Sequence, residues 1–471
     1  MTLTVAHWIY AGVTLTVIGT MLFRRGVVLP ALIGTLLVAG VYEKSLTSGL
    51  QAIFKANMVA AKELFSIFLI ITFMVALLRS LNDLGADRKM IAPIGKIMVN
   101  GHMAFWTLVG ATYLLSLFFW PTPTVPLVGA LLVPPAIRAG LPKMGAAVAI
   151  ALAGQGMALS SDYVMQVAPM LSARAAGVTA AEVADQALIL SIITGAVAIG
   201  LAYLSLFRRI RHPEDPRSER EWASVVGAQG RGEEAGSKPE GRHRWGGVFA
   251  VLVPLALLGV VVSMIFSKFG GGSSLDGEGG AAFIGGVGAL LLVLATAIHG
   301  KAHALDRISD HLVEGLIFAV RAMGPVIPIA GFFFLGNGDF SSEILSDPDR
   351  APAFLFDLIH SGQSLIPDNR FFAGFGLLTV GMLSGLDGSG FSGLPLTGGL
   401  AGALSSGDTA LLAAIGQMGA VWSGGGTIIA WSSLVAVAGF TGVSTLDLVR
   451  KNFIPVTVGL ILSTALALLI G

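Results

Sequence analysis

The chain reads as an all-α polytopic membrane protein made of inverted repeats, with two re-entrant hairpins and two broken transmembrane helices. Three observations lead there. First, 54% of the 471 residues are hydrophobic and only 12% are charged, against about 25% charged in soluble domains, and the mean hydropathy is +0.80. Second, AVAIALAGQGMALSSD at 147–162 is echoed by TALLAAIGQMGAVWSGGGT at 409–427, with Gln155 and Gln417 in matching places. Third, each stretch follows an apolar segment with its own interruption, Trp120-Pro121-Thr122-Pro123-Thr124-Val125-Pro126 and Ser384-Gly385-Leu386-Asp387-Gly388-Ser389-Gly390. Broken backbone persists in hydrocarbon only where protein or a watery cavity covers it. Paired interruptions at matching places in two halves point to a binding site between them.

Basic residues near span ends mark the cytoplasmic side and order the elements. The apolar run 7–23 lacks a basic leader and ends at Arg24-Arg25, so it reads as a retained first span with its N-terminus outside. A span at about 27–42 goes out, and one at about 59–80 returns to Arg79, Arg88 and Lys89. The segment at about 104–137 is too long for one helix and has basic residues on both flanks, which predicts a hairpin opening to the cytoplasm. The span 143–171 then crosses outward through a break at 154–162, and 186–206 returns to Arg208, Arg209 and Arg211. These elements make a first half, 1–206. Residues 207–245 mix charge, Gly and Pro and read as a flexible cytoplasmic linker.

The second half, 246–471, repeats the plan upside down. Spans at about 246–266 and 280–298 lead to His299, Lys301, His303 and Arg307 inside, and 311–336 exits to an acidic loop. The interrupted segment 371–405 predicts a hairpin opening outward; the broken span 408–437 crosses inward to Arg450-Lys451, and 453–470 follows.

Chemistry concentrates at the interruptions. Thr122 and Thr124, among proline-freed carbonyls, are hard oxygen donors suited to Na⁺; alternatively they cap a kinked helix. Asp387 and Ser389 place a carboxylate and a hydroxyl at the second tip, where an ionisable group is a site by default or else a helix cap. The broken spans add Gly154, Gln155, Ser160, Ser161 and Asp162 in one half and Gln417, Ser423, Gly424 and Thr427 in the other. Glutamine both donates and accepts, and half-helix N-termini favour an anion; the bland alternative is hydrogen bonding that glues helices together. Expected substrate contacts are therefore Thr122, Thr124, Gln155, Asp387, Ser389, Gln417, Ser423 and Thr427. Expected Na⁺ ligands are Thr122, Thr124, Gly154, Ser160, Ser161, Asp387 and Gly424. Asp162 and Arg321 are coupling candidates. A guanidinium at Arg321's depth must find a carboxylate, with Glu314, Glu63 and Asp387 the nominees, a carbonyl cluster or an anionic substrate, or else snorkel to the inner face.

Other functions lack residues to carry them. There is no cysteine for a thiolate metal site, and no Ser/His/Asp set, HExxH or phosphate loop. An enzyme, a resident cofactor and a nucleic-acid partner are not expected; the net charge of +1 argues neither way about acidic partners.

This combination of hairpins and broken spans resembles the ion transporter superfamily. That group includes the divalent anion–sodium symporters, the large membrane subunit of tripartite organic-acid transporters, and the gluconate, lactate, citrate and arsenite permeases. The resemblance covers nearly the whole chain in span order, and is specific for architecture and weak for substrate. The tips depart from the symporters' Ser-Asn-Thr, offering Pro-Thr-Pro-Thr at 121–124 and Asp-Gly-Ser-Gly at 387–390. The resemblance implies a secondary active transporter for a small organic anion, a carboxylate, with Na⁺ or H⁺ as coupling ion and elevator-type alternating access. It further implies a homodimer in a bacterial plasma membrane. A Na⁺/H⁺ antiporter using Asp162 and Asp387, or the membrane subunit of a binding-protein-dependent organic-acid transporter, are the alternatives.

Overall fold

The computed structural model describes all residues except 1–2, 24, 214, 231–244, 270–277, 301–302, 346–350, 363–368, 389, 405–407, 431 and 471. Among the described residues every regular element is helical. The first half runs α1 (Val5–Leu22), α2 (Val28–Tyr42), α3 (Leu46–Asp83), α4 (Ala86–Gly95), α5 (Gly101–Phe119) and α6 (Pro121–Arg138). It continues with α7 (Lys143–Ile150), a π-helical stretch (Ala151–Ala158), α8 (Leu159–Ser161), α9 (Val167–Ala176) and α10 (Ala180–Phe207). Within the polar stretch 207–245, α11 (Pro216–Gly230) packs on α6, with the Arg138 guanidinium 3.8 Å from the centre of the Trp222 ring. The second half runs α12 (Gly246–Phe269), α13 (Glu278–Gly300), α14 (Ala304–Met323), α15 (Val326–Phe334), α16 (Gly338–Leu345) and α17 (Phe354–Gly362). Then come α18 (Arg370–Ser384), a 3-10 turn (Gly385–Asp387), α19 (Leu394–Leu404), α20 (Thr409–Gly424), α21 (Leu434–Thr441) and α22 (Thr445–Ile470).

Local chemistry sets where these helices start. Ser45, Asn100, Asn369 and Asp408 each accept a backbone N–H of the turn they precede, and Thr179 and Glu182 form a reciprocal capping box at α10. By length and composition Gly101–Phe119, Lys143–Ser161, Ala180–Phe207 and Thr445–Ile470 can each cross a membrane. Two bent pairs add up to two more: α3, bent by 45° near its middle, and α14 with α15, bent by 52°. α12 (24 residues) and α13 (23 residues) are also long and apolar, while α2, α18 and α19 are shorter than a span.

The helices gather around two apolar cores. One is built from α1–α3, α12–α15 and most of the buried residues of α9 and α19; the other from α5–α7, α10, α18 and α20–α22. Trp120, Leu159, Phe391 and Val421 belong to the first core although their helices serve the second, so the hairpin tips are the seam. α5 and α6 form one hairpin, α18 and α19 the other. The first closes at its base, where a Cβ on Gly101 would lie 2.9 Å from the Gly140 carbonyl carbon. That base shares a cavity with Val443, Ser444 and Asp447 at the start of α22. The second hairpin's base meets the other end of α22, where Gly374 packs on Leu468. The two hairpins therefore enter from opposite ends of the bundle, which is the inverted repeat expected from the charge pattern.

Glycine makes the second body close-packed. A Cβ at Gly385 would stand 2.6 Å from the Ala420 carbonyl oxygen, and Gly381, Gly419 and Gly424 face equally tight backbone across α18 and α20. In lipid such crossings rest on van der Waals packing between backbones, and any side chain would prise them apart.

Candidate functional site

The first tip is sharper than its three prolines suggest. The reversal falls on Trp120 alone, with φ +64°, and helix resumes at Pro121. The expected break over 121–126 is thus corrected: a proline at the first helical position loses no hydrogen bond, because that N–H has no intrahelical acceptor anyway. Thr124 is fully buried and donates to the carbonyls of Trp120 (3.0 Å) and Pro121 (2.9 Å), with Ser116 Oγ at 3.2 Å. It closes the tip instead of facing the cavity; Thr122 faces the cavity. The second tip turns on Gly388 (φ +85°) and Gly390 (φ +75°), a conformation side chains resist. Asp387 ends the 3-10 turn, and its side chain, like the whole of Ser389, lies outside the described residues. The two tips touch through Trp120 and Phe391, ring centres 5.3 Å apart.

Both crossing helices break later than the glycine clusters suggest. Gly154 and Gln155 lie in the π-helical stretch, and the first break opens at Asp162–Gln166, both ends of which are left-handed (φ +35° and +56°). Trp120, Asp162 and Gln166 are three of the four non-glycine residues with positive φ among the described residues. Such strain collects where surrounding structure over-determines a site. Asp162 Oδ2 accepts the Ala168 N–H at 2.8 Å, so its carboxylate anchors the start of α9. Ser160 donates to Ser191 Oγ (3.0 Å), and Ser161 to the Ala158 carbonyl (3.1 Å). In the second half α20 stays helical through Gln417, Ser423 and Gly424, and the break follows at residues 425–433. There Thr427 donates to the Trp422 carbonyl, while its own carbonyl accepts from Asn452 at 2.9 Å. Ser423 Oγ is buried without a partner in the protein.

The two glutamines exchange places. Gln417 Nε2 donates to the Ser160 carbonyl (2.9 Å) and its Oε1 accepts from Ser172 (3.1 Å), so the second half's glutamine ties down the first half's break. Gln155 reaches into the second half's break, 3.0 Å from Ser433 Oγ, which also lies 2.6 Å from the Gly425 carbonyl. Gln155 Oε1 is the atom that faces Ser433 Oγ, and its Nε2 is buried with no partner in the protein. Both glutamines are fully buried.

Between the tips lies a cavity of about 400 Å³, small within the roughly 300–1,000 Å³ of small-molecule sites. The first tip contributes Trp120 and Thr122, the second Gly388 and Phe391, and the breaks Leu159, Gly425 and Ser433. Across from them stand Phe318 and Arg321 of α14. Arg321 ends its helix's last turn, just before the bend to α15. Two of the carboxylates nominated for it are engaged elsewhere: Glu314 with Arg79 (3.4 Å) and Glu63 with Arg174 (3.1 Å). Among the described residues Arg321 has no ion-pair partner. Nor does any group of three His, Cys, Asp or Glu among them come close enough to hold a metal.

No family model matches the sequence. The chain is 34% identical over 467 residues to the uncharacterized membrane protein YhfA of Bacillus subtilis (strain 168), and the match spans 98% of each chain. The chain belongs to the YhfA family. With that full-length membrane relative and the apolar helices above, it is an integral, multi-pass membrane protein.

Of the expected site residues in this family member, the cavity gathers Thr122 and Arg321 directly, with Gln155 one hydrogen bond behind Ser433. Gln417, Thr124, Ser160, Ser161 and Asp162 are committed to bonds within the protein. Sequence reasoning passed over Trp120, Phe391, Phe318, Leu159 and Ser433. The aromatic residue flanking each interruption was the available signal for the first two.

Proposed function

We propose that this protein is a secondary active transporter that carries a small organic anion, a carboxylate, across a bacterial plasma membrane, and that it is not an enzyme. One observation carries the reading: an arginine without a carboxylate partner among the described residues faces the cavity where both hairpin tips meet. A permanently charged guanidinium at that position is matched by an anion entering the cavity, and its planar fork suits a carboxylate. Thr122 and the backbone of Gly388 and Gly425 supply polar contacts, while Trp120, Phe318 and Phe391 supply apolar walls. The resemblance to the ion transporter superfamily adds elevator-type movement of the hairpin body past the body that holds Arg321. Na⁺ or H⁺ is the coupling ion. Ser423 Oγ, buried without a partner next to the second break, is a neutral oxygen of the kind Na⁺ takes.

The test is uptake of labelled mono- and dicarboxylates into proteoliposomes, with and without Na⁺ and pH gradients. At least one small carboxylate should accumulate against its gradient. Arg321→Gln should lower that uptake by about tenfold or more, the cost of losing a charge-assisted hydrogen bond, with unchanged yield of monodisperse protein. Gradient-driven exchange of Na⁺ for H⁺ with no carboxylate transported would overturn the reading in favour of an antiporter.

A further inference from the structure

At the end of the bundle where the first hairpin opens lies a second, larger cavity of about 620 Å³, remote from the tips. Its cations come from three elements: Lys143 at the start of α7, Arg208, Arg209 and Arg211 after α10, and Arg217 on α11. Two carboxylates face them, Glu221 and Asp447, and together they leave the lining with a net positive charge. Glu221 is spent on Arg211 Nη2 (2.8 Å) and the backbone N–H of Lys143 (3.0 Å). Asp447 pairs with Arg450 at 3.4 Å. Lys143, Arg208, Arg209 and Arg217 have no acidic partner among the described residues. Arg211 Nη1 is buried with no acceptor, though its sister nitrogen is bonded. Folding has gathered five cations around one hollow, four of them without an acidic partner among the described residues, and left a buried donor on the fifth with no acceptor, an arrangement that costs free energy unless an anion completes it.

We infer that this cavity is a binding site for a phosphate group, distinct from the transport cavity. Arginine forks match phosphate oxygens two at a time, and a hollow this size has room for more than a bare ion. Phosphate presented there bridges the foot of α10, the start of α7 and the docked helix α11, and so fastens the polar stretch to the hairpin body. The same chemistry reaches the site from an anionic phospholipid headgroup or from a phosphate compound in solution. Basic pockets at the ends of membrane helices take headgroups in this way.

The experiment uses the full chain, purified in detergent and stripped of lipid. Retained ligand is counted by native mass spectrometry, and unfolding temperature is followed on adding dioleoylphosphatidylglycerol, dioleoylphosphatidylcholine or inorganic pyrophosphate. Phosphatidylglycerol or pyrophosphate should bind saturably and raise the unfolding temperature, and which of them does so identifies the source. The triple variant Arg208→Gln/Arg209→Gln/Arg217→Gln should bind about tenfold more weakly or worse, as expected for loss of hydrogen bonds to charged groups. If that variant folds poorly, the exposed Arg217→Gln alone should still weaken binding. The control Arg88→Gln/Lys96→Gln, which removes charge outside the cavity, should leave binding unchanged. The inference is overturned if neither probe binds, if phosphatidylcholine binds as well, if the cavity variants bind like wild type, or if the control weakens binding equally.

Discussion

Gln155 and Gln417 occupy matching positions in the repeat and invite one shared role, yet their partners separate them. Gln417 satisfies both ends of its amide, on the Ser160 carbonyl and the Ser172 hydroxyl. Gln417→Ala therefore strands two buried polar groups at about 1–3 kcal/mol for each, and a clear drop in unfolding temperature is expected by thermal denaturation in detergent. Gln155→Ala strands less, because one end of that amide already lacks a partner. Its unfolding temperature should fall less than that of Gln417→Ala. The reverse order of stabilities would mean that the Gln155–Ser433 contact holds the two halves together more strongly than the paired amide of Gln417 does. The sequence made both residues visible as polar interruptions in apolar runs. It could not reveal that each reaches into the other half's break, since that depends on how the halves interlock.

The helices show where legibility fails. Two hairpins, two broken crossings and their opposite entry were readable, because interrupted apolar runs and flanking basic residues are one-dimensional signals. The break positions were not. Glycine and glutamine weaken a helix without ending it, and both α20 and the π-helical stretch carry them because neighbouring backbone packs over the gap. Proline misled in the opposite direction at 121–126, where Pro121 and Pro123 fall in the first turn of α6, whose N–H groups have no intrahelical acceptor. Glycine's work in α18 is packing, and that gives a paired prediction. Gly385→Val puts branched carbon where a Cβ alone would already stand 2.6 Å from the Ala420 carbonyl and 2.8 Å from the Gly424 nitrogen. Overpacking of this kind costs about 1–3 kcal/mol or more, and the monodisperse fraction on gel filtration should collapse. Gly376→Val lies on α18, the helix that leads into the 3-10 turn of Gly385, with nothing within 4 Å of its Cβ, and should be tolerated. Equal loss in both variants would show that helix propensity, not the α18–α20 crossing, sets the requirement.

Across the whole protein, two apolar cores meet along the hairpin tips, and the cavity holding Arg321 sits on that seam. A site bounded by one body on one side and another on the other can open alternately to each face if the bodies slide. A site enclosed within a single body cannot. The absence of cysteine makes this directly measurable. Lys96→Cys, near the first hairpin's base, and Arg370→Cys, at the start of the second hairpin, should react with an impermeant maleimide from opposite faces of the membrane. That result sets the frame for Thr122→Cys, which lines the cavity. In right-side-out and inside-out vesicles alike, Thr122→Cys should be modified, and a transported carboxylate should slow the reaction from both sides. Because the cavity is one site seen from two directions, protection should follow the same concentration dependence in the two preparations once the gradients are collapsed. Modification from one face only, under every gradient applied, would mean that the seam is fixed, and the two-body account of transport would fall with it.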